Sequence, residues 1–230
     1  MDSMDEFLKS QPPTALRPLL GQTILAVEDS RFACEAIRLV CLRSGARVRR
    51  ADSLGSARRH LRVYRPSVVL VDMGLPDGSG ADLIGELASA SPRVAVLLGT
   101  SGDDALIDQA IAAGADGFIA KPIVSLAGFQ NEVLKHLPWD RQPKGPRAVM
   151  DDAIAPDSIA YQDDLAHAVE ALDAGEAAYV AQFLEGLARC GGDTGLARQA
   201  ERLARAPKSR EECAQMDMLL RDRLGERVAV

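Results

Sequence analysis

From Thr23 to Leu137, short apolar runs alternate with stretches whose apolar residues recur at helical spacing. Thr23–Val27 (TILAV) is a continuous apolar run that ends in Glu28-Asp29. Arg31–Ser44 carries Phe32, Ala36, Ile37 and Val40 at the spacing of one helical face, and Gly45 closes it. Arg47–Ala51 reads as a short edge strand, and Leu54–Tyr64 as a helix stopped before Pro66. Ser67–Val71 is a buried strand ending at Asp72, and Ala81–Ala90 a helix. Val94–Leu98 is a strand ending near Thr100, and Asp104–Ala113 a helix closed by Gly114. Gly117–Ala120 runs into Lys121-Pro122, and Val124–Leu137 is the last helix of the series. Strands that alternate with helices, and that read as unbroken apolar runs, imply a parallel sheet covered on both faces. Right-handed crossovers make it a doubly wound α/β fold, whose sites lie at the carboxyl ends of the strands.

The pattern changes after Leu137. Pro138, Pro143, Gly145, Pro146 and Pro156 mark 138–156 as a linker. Beyond it four apolar stripes follow at helical spacing: Tyr161, Leu165, Val169, Leu172; Val180, Phe183, Leu184, Leu187; Leu196, Ala200, Leu203, Ala204; and Cys213, Met216, Leu220, Leu224. Gly175, Gly191-Gly192 and Pro207 separate them. This predicts a C-terminal all-α module over 157–226, a bundle or a dimerisation unit. Residues 1–20 are an N-terminal extension, with 21–137 the α/β domain.

The chain has 230 residues with 47% apolar and only 4% aromatic residues, so Leu, Val, Ile and Ala must fill the cores. Asp2, Asp5, Glu6 and the early prolines do not make a signal peptide, and no run reaches the ~18 apolar residues of a membrane span. The expected compartment is the cytoplasm, with no membrane partner. Cys34, Cys41, Cys190 and Cys213 form no C-x-x-C pair and suggest no zinc site. The net charge of −6 argues against a general nucleic-acid binder.

Four strand ends carry polar groups in an apolar setting: Glu28-Asp29, Asp72, Thr100 and Lys121. A doubly wound sheet gathers them on one edge. Crowded carboxylates repel and should raise one another's pKa values. A hard divalent cation relieves that repulsion, and oxygen donors suit Mg²⁺. Carboxylates, a metal, an amine and a hydroxyl together suit phosphoryl transfer, with a carboxylate as the nucleophile.

The strings "ILAVEDS", "VVLVDMGLPDGSG", "VLLGTSGDD" and "AAGADGFIAKP" resemble a response-regulator receiver domain over about residues 20–137, half the chain. The resemblance implies a flavodoxin-like sheet of order 2-1-3-4-5. It makes Asp72 the phosphoacceptor and places Asp29 as a direct Mg²⁺ ligand. Glu28 would hold the metal through water, and the backbone carbonyl of Gly74 would add another oxygen. Thr100 would be the hydroxyl that meets the phosphoryl group, Lys121 the amine that pairs with it, and Phe118 the aromatic switch. The Lys121-Pro122 bond would be cis. Such a domain catalyses only its own phosphorylation and dephosphorylation, and its partner is a sensor histidine kinase or a phosphotransfer protein.

The output is open. Residues 151–230 hold 16 acidic and 9 basic residues, which disfavours DNA. Their basic face is Arg198, Arg202 and Arg205, followed by Lys208 and Arg210. A phosphotransfer bundle would need a working His167. Its surroundings, His-Ala-Val-Glu-Ala, replace the lysine and glycine of the usual His-x-x-Lys-Gly. Protein–protein contact, including a homodimer, is favoured by elimination. A phosphorelay intermediate and a nucleic-acid-binding transcriptional regulator are the alternatives. A metal-dependent phosphohydrolase built on Asp72 would need a nearby acid/base, and Asp77 sits too far on, within a Gly/Pro turn. His60 and His136 read as helix-surface residues, and Trp139 as packing on the linker.

Overall fold

In a computed structural model the described residues are 12–147, 154 and 157–225. Asp2, Asp5 and Glu6, most of the second half of the expected linker, and residue 226 lie outside them. The chain divides into two compact units: one holds the described residues up to 29 and from 36 to 154, the other 30–35 with 157–225.

The first unit is built on strands β1 (Thr23–Val27), β2 (Arg47–Ala51), β3 (Val68–Asp72), β4 (Val96–Ser101) and β5 (Gly117–Ala120). Helices α1 (Arg31–Ser44), whose residues 31–35 belong to the second unit, α2 (Leu54–Val63), α3 (Gly80–Ser89), α4 (Ile107–Ala113) and α5 (Leu126–His136) follow them in turn. All strands pair in parallel, in the spatial order 2-1-3-4-5. This is the flavodoxin-like doubly wound sheet.

Period-two alternation sorts each strand between two cores. Ile24, Ala26, Val68, Leu70, Val96 and Leu98 pack with Ile37 and Val40 of α1 and Phe129 and Val133 of α5. Leu25, Val27, Val69, Val71 and Leu97 pack on the other face with Leu54 of α2, Leu83 and Ile84 of α3 and Ala110 of α4. Each fully buried Val, Leu, Ile or Phe side chain among them contributes roughly 1.5–3 kcal/mol. Ser53, Ser79 and Ser125 cap α2, α3 and α5 by accepting from backbone N–H groups one turn on.

Most elements lie within two residues of their sequence-predicted ends. The fourth strand departs: it spans Val96–Ser101 rather than Val94–Leu98. Val94 is buried in the core outside the ladder, while Thr100 and Ser101 pair with Ile119 and Ala120 and extend the strand. The expected helix at Asp104 begins as one 3₁₀ turn over Asp104–Leu106. A two-residue hairpin, Gly74–Leu75 with Gly78–Ser79, was not predicted. Lys121-Pro122 is cis, and so is Ser91-Pro92. Trp139, expected to pack on the linker, starts a 3₁₀ turn, Trp139–Arg141, and is 85% exposed, so it packs little among the described residues.

The second unit contains α6 (Ser158–Asp173), α7 (Ala177–Gly191), α8 (Thr194–Arg205) and α9 (Arg210–Gly225). Leu165, Val180, Leu184, Leu187, Leu196, Leu203, Met216 and Leu220 form its core. The predicted stripes are its inward faces. Asp193 caps α8, accepting from Gly195 N–H (3.0 Å) and Leu196 N–H (2.9 Å), and Arg223 Nε donates to its other oxygen at 2.8 Å. Asp164 is buried in the same unit. It accepts from Ser30 Oγ (2.8 Å), Arg31 N–H (2.9 Å) and Phe32 N–H (3.0 Å), which satisfies the first turn of α1.

Candidate functional site

The carboxyl ends of β1, β3, β4 and β5 bring the predicted residues together. In the ladder Asp72 stands opposite Thr100, and Thr100 opposite Ile119, two residues before Lys121. Glu28, Asp29 and Asp72 each offer a carboxylate oxygen, and these oxygens lie within 4.8 Å of one another. Lys121 Nζ sits 2.7 Å from Glu28 Oε2 and 2.9 Å from Asp72 Oδ2. Gly74 N–H donates to Asp72 Oδ1 at 3.4 Å.

Burial sets the electrostatics. Glu28 is 1% exposed, and its pKa is driven well above the carboxylate range. Desolvation is the main cause; Lys121 opposes it, and the Asp72 and Asp29 charges add to it. Mutual carboxylate repulsion is therefore only part of the expected rise. Burial also works against the Lys121 ammonium, yet Asp72 and Glu28 outweigh it and hold the amine well above its usual pKa. The carboxylate trio is an oxygen donor set that fits a hard divalent cation, and the buried ammonium supplies a separate positive charge beside it.

Thr100 is fully buried, and its hydroxyl donates to the Ile119 carbonyl at 2.7 Å. Phe118 lies beside Gly99: a Cβ built at Gly99 would come within 3.0 Å of the Phe118 ring. The ring thus fills space that the glycine leaves. Gly80 has a similar role under the site, since a Cβ there would reach 2.0 Å from the Asp72 carbonyl oxygen. Only glycine lets α3 begin this close to the end of β3.

One contributor was not singled out from sequence. Arg50, on β2, donates to the backbone carbonyls of Glu28 (Nε, 3.4 Å) and Asp29 (Nη2, 2.8 Å), fixing the loop after β1. Asp77 caps α2, accepting from Leu54 N–H (2.8 Å) and Gly55 N–H (2.9 Å). Both its oxygens are thus engaged by a helix start, which gives no support to an acid/base role. His167, by contrast, belongs to the second unit. It is exposed, with its ring edge-on to Tyr179 and Phe183.

A parallel 2-1-3-4-5 sheet with clustered acids, a hydroxyl and a buried amine at its carboxyl edge defines a doubly wound domain with a carboxylate-centred site. Residues 24–130 match the family model of the response regulator receiver domain, and this part of the chain is a receiver domain of that family. The transcriptional regulatory protein KdpE of Mycobacterium tuberculosis is 32% identical over 99 residues, 43% of this chain and 44% of that protein. The DNA-binding transcriptional activator DevR/DosR of the same species is 40% identical over 75 residues, covering 32% and 34%. The chemotaxis protein CheY of Thermotoga maritima is 28% identical over 107 residues, covering 45% and 88%. Among solved structures, the receiver domain of a Syntrophus aciditrophicus signal transduction histidine kinase is 24% identical, covers 50% of this chain and 89% of that one, and has a TM-score of 0.46.

The match spans less than half of the KdpE protein, and the helical unit lies beyond it. The receiver part thus supports a regulatory role in a two-component system. The sequence-based argument against DNA finds no support in these relatives, two of which are named as transcriptional regulators. No helix among the described residues is long and apolar enough to cross a membrane.

Proposed function

We propose that this chain is a phosphorylation-controlled regulator in which Asp72 accepts a phosphoryl group and the helical unit delivers the output through protein–protein contact. The observation that carries the first half is the buried contact of Lys121 with both Asp72 and Glu28. Isolating these charges from water costs several kcal/mol per ion, and nothing in packing requires it.

Asp72 Oδ attacks the phosphorus of a phosphohistidine donor, or of a small acyl phosphate. The new O–P bond forms as the donor's N–P or O–P bond breaks, and the leaving group departs with the electron pair. Lys121, already 2.9 Å from Asp72, pairs with the phosphoryl oxygens. Glu28, Asp29, Asp72 and the Gly74 carbonyl are the groups that would hold Mg²⁺; when bound, it neutralises charge on the transferring group. Once Asp72 carries a phosphoryl group, Thr100 has a charged acceptor in place of the neutral Ile119 carbonyl, and charge-assisted bonds are the stronger. Thr100 therefore turns toward the phosphoryl group, and Phe118 shifts into the space it leaves. The surface of α4, β5 and α5 changes as a result, by a shift of population between two packings. The partner that supplies the phosphoryl group is a histidine kinase or a phosphotransfer protein, and the compartment is the cytoplasm.

The test is intact-mass measurement after incubation with a small acyl phosphate and Mg²⁺. One phosphoryl group should be added to the natural chain and none to Asp72→Asn. Undiminished labelling of Asp72→Asn would refute the assignment. Two relatives named as transcriptional regulators favour a second reading for the output, DNA contact through the basic face of α8. Retardation of duplex DNA by the phosphorylated full chain, lost on Arg198→Glu with Arg202→Glu, would establish it.

A further inference from the structure

Charge along this chain is unevenly spread. Residues 36–65 hold nine arginines and one acid, Asp52, in a protein whose net charge is −6. The other 200 residues therefore carry −14. Four of them, Arg38, Arg47, Arg49 and Arg65, lie along β2, an edge strand of the sheet.

An open groove of about 800 Å³ runs along that edge. Arg38 and Leu42 of α1 form one wall, and Val63, Tyr64 and Arg65, at the end of α2, form the other. Arg47, Val48 and Arg49 of β2 form the floor. Among the described residues no acidic side chain lines it. Arg49 and Arg65 are exposed, and Arg49 stacks over the Tyr64 ring, 5.1 Å from its centroid, which holds the guanidinium at the groove.

The backbone of β2 adds a second kind of recognition. Arg47 N–H bonds the Gln22 carbonyl, and the Ala51 carbonyl accepts from Glu28 N–H, so positions 47 and 51 face β1. By the alternation of a parallel strand, the N–H and C=O groups of Val48 and Arg50 point outward. No strand pairs with β2 on that side among the described residues.

We propose that the β2 edge is a docking groove for an acidic, extended segment of a partner polypeptide, which adds to the sheet as a strand. An outward-facing ladder presents donors and acceptors in alternation, and another backbone complements both. A nucleic-acid phosphate is acceptor-only and would leave the carbonyls of Val48 and Arg50 unmatched. The guanidinium forks select carboxylate side chains on that strand. The same arginines repel the β2 edge of a second copy, so the edge is guarded against self-association while open to an acidic strand.

The experiment uses the full chain and a capped synthetic peptide of alternating glutamate and valine, followed by amide NMR. The Val48 and Arg50 amides should shift and exchange more slowly on binding. Arg49→Glu with Arg65→Glu, both at exposed positions, should weaken the peptide by roughly tenfold or more while the fold is retained by circular dichroism. Val48→Pro, which removes one outward N–H and keeps every arginine, should weaken it too. Equal binding of a glutamine–valine peptide, an unchanged affinity in the double variant, or shifts confined to other elements would overturn the proposal. So would displacement of the peptide from these amides by an oligothymidylate that binds more tightly, since the groove would then be a nucleic-acid site.

Discussion

The two compact units put their buried acids to different uses. In the α/β unit Glu28, Asp72 and Thr100 are buried together at one sheet edge, with Lys121 between the two acids. In the helical unit the buried polar residues Asp164 and Gln199 are spent on structure. Asp164 satisfies N–H groups at the start of α1, and Gln199 Nε2 donates to Glu212 Oε2 at 3.0 Å. A buried charge with a structural duty is explained by its partners. The raised pKa of Glu28 has no such structural explanation, and the proposed phosphoryl site accounts for it.

Thr100→Ala breaks this contrast most sharply, because it removes the link between site and surface. The variant should still accept a phosphoryl group on Asp72. Its amide spectrum over α4, β5 and α5 should lose the phosphorylation-dependent shifts. A Thr100→Ala protein that responds like the natural chain would place the conduit elsewhere. Next in size is the division of labour between the acids. Glu28 is engaged by Lys121 and fully buried, whereas Asp29 is half-buried and closer to solvent. Asp29→Asn should therefore weaken Mg²⁺ by about tenfold more than Glu28→Gln, measured calorimetrically. The reverse order would exchange their roles.

The α/β unit was the more legible of the two because its signals are local. An apolar run ending in a charged residue states both the strand and the direction of its end, and parallel topology then collects those ends. The gathering of Glu28, Asp29, Asp72, Thr100 and Lys121 at one end of the sheet could be read for that reason. Arg50 could not, since its role depends on which carbonyls its guanidinium reaches across the sheet. Asp164 was equally hidden: on its own helix it looks like one more surface acid, and only a contact 134 residues away gives it a purpose. The end of β4 was misjudged because Thr100 and Ser101 are polar, yet the ladder to β5 continues through them.

A smaller effect tests the structural side of the comparison. Asp193→Ala removes the cap of α8 and its bond with Arg223, and should cost about 1–2 kcal/mol in chemical denaturation. The Arg223 guanidinium, helped by the Leu196 and Gly195 amides, holds the Asp193 carboxyl below its usual pKa. A depressed folded-state pKa means stability that is present above the unfolded value of about 3.9 and lost as pH falls through the folded one. The gap between natural and variant protein should be full at neutral pH and shrink below about pH 4. A gap that is constant across that range would mean the carboxylate charge contributes nothing.

The smallest effect expected is none at all, at His167. A phosphotransfer histidine must carry a strongly anionic group, and the group needs a positive neighbour. On α6 three of the four residues one turn away are acids, Asp163 and Asp164 before it and Glu170 after it, and the fourth is Ala171. Arg31 is drawn to Asp163 at 2.6 Å and Asp164 is engaged by the start of α1, so neither arrangement turns a cation toward the imidazole. The ring rests edge-on against Phe183, with its centroid 5.7 Å away, and Nε2 lies 3.3 Å from the Tyr179 hydroxyl. A phosphoryl group on Nε2 would displace that contact. His167→Gln should thus leave phosphorylation of the full chain unchanged, and all label should remain on Asp72. A second, acid-labile and base-stable label that disappears with His167→Gln would erase the contrast between the units, because the helical one would then do chemistry as well.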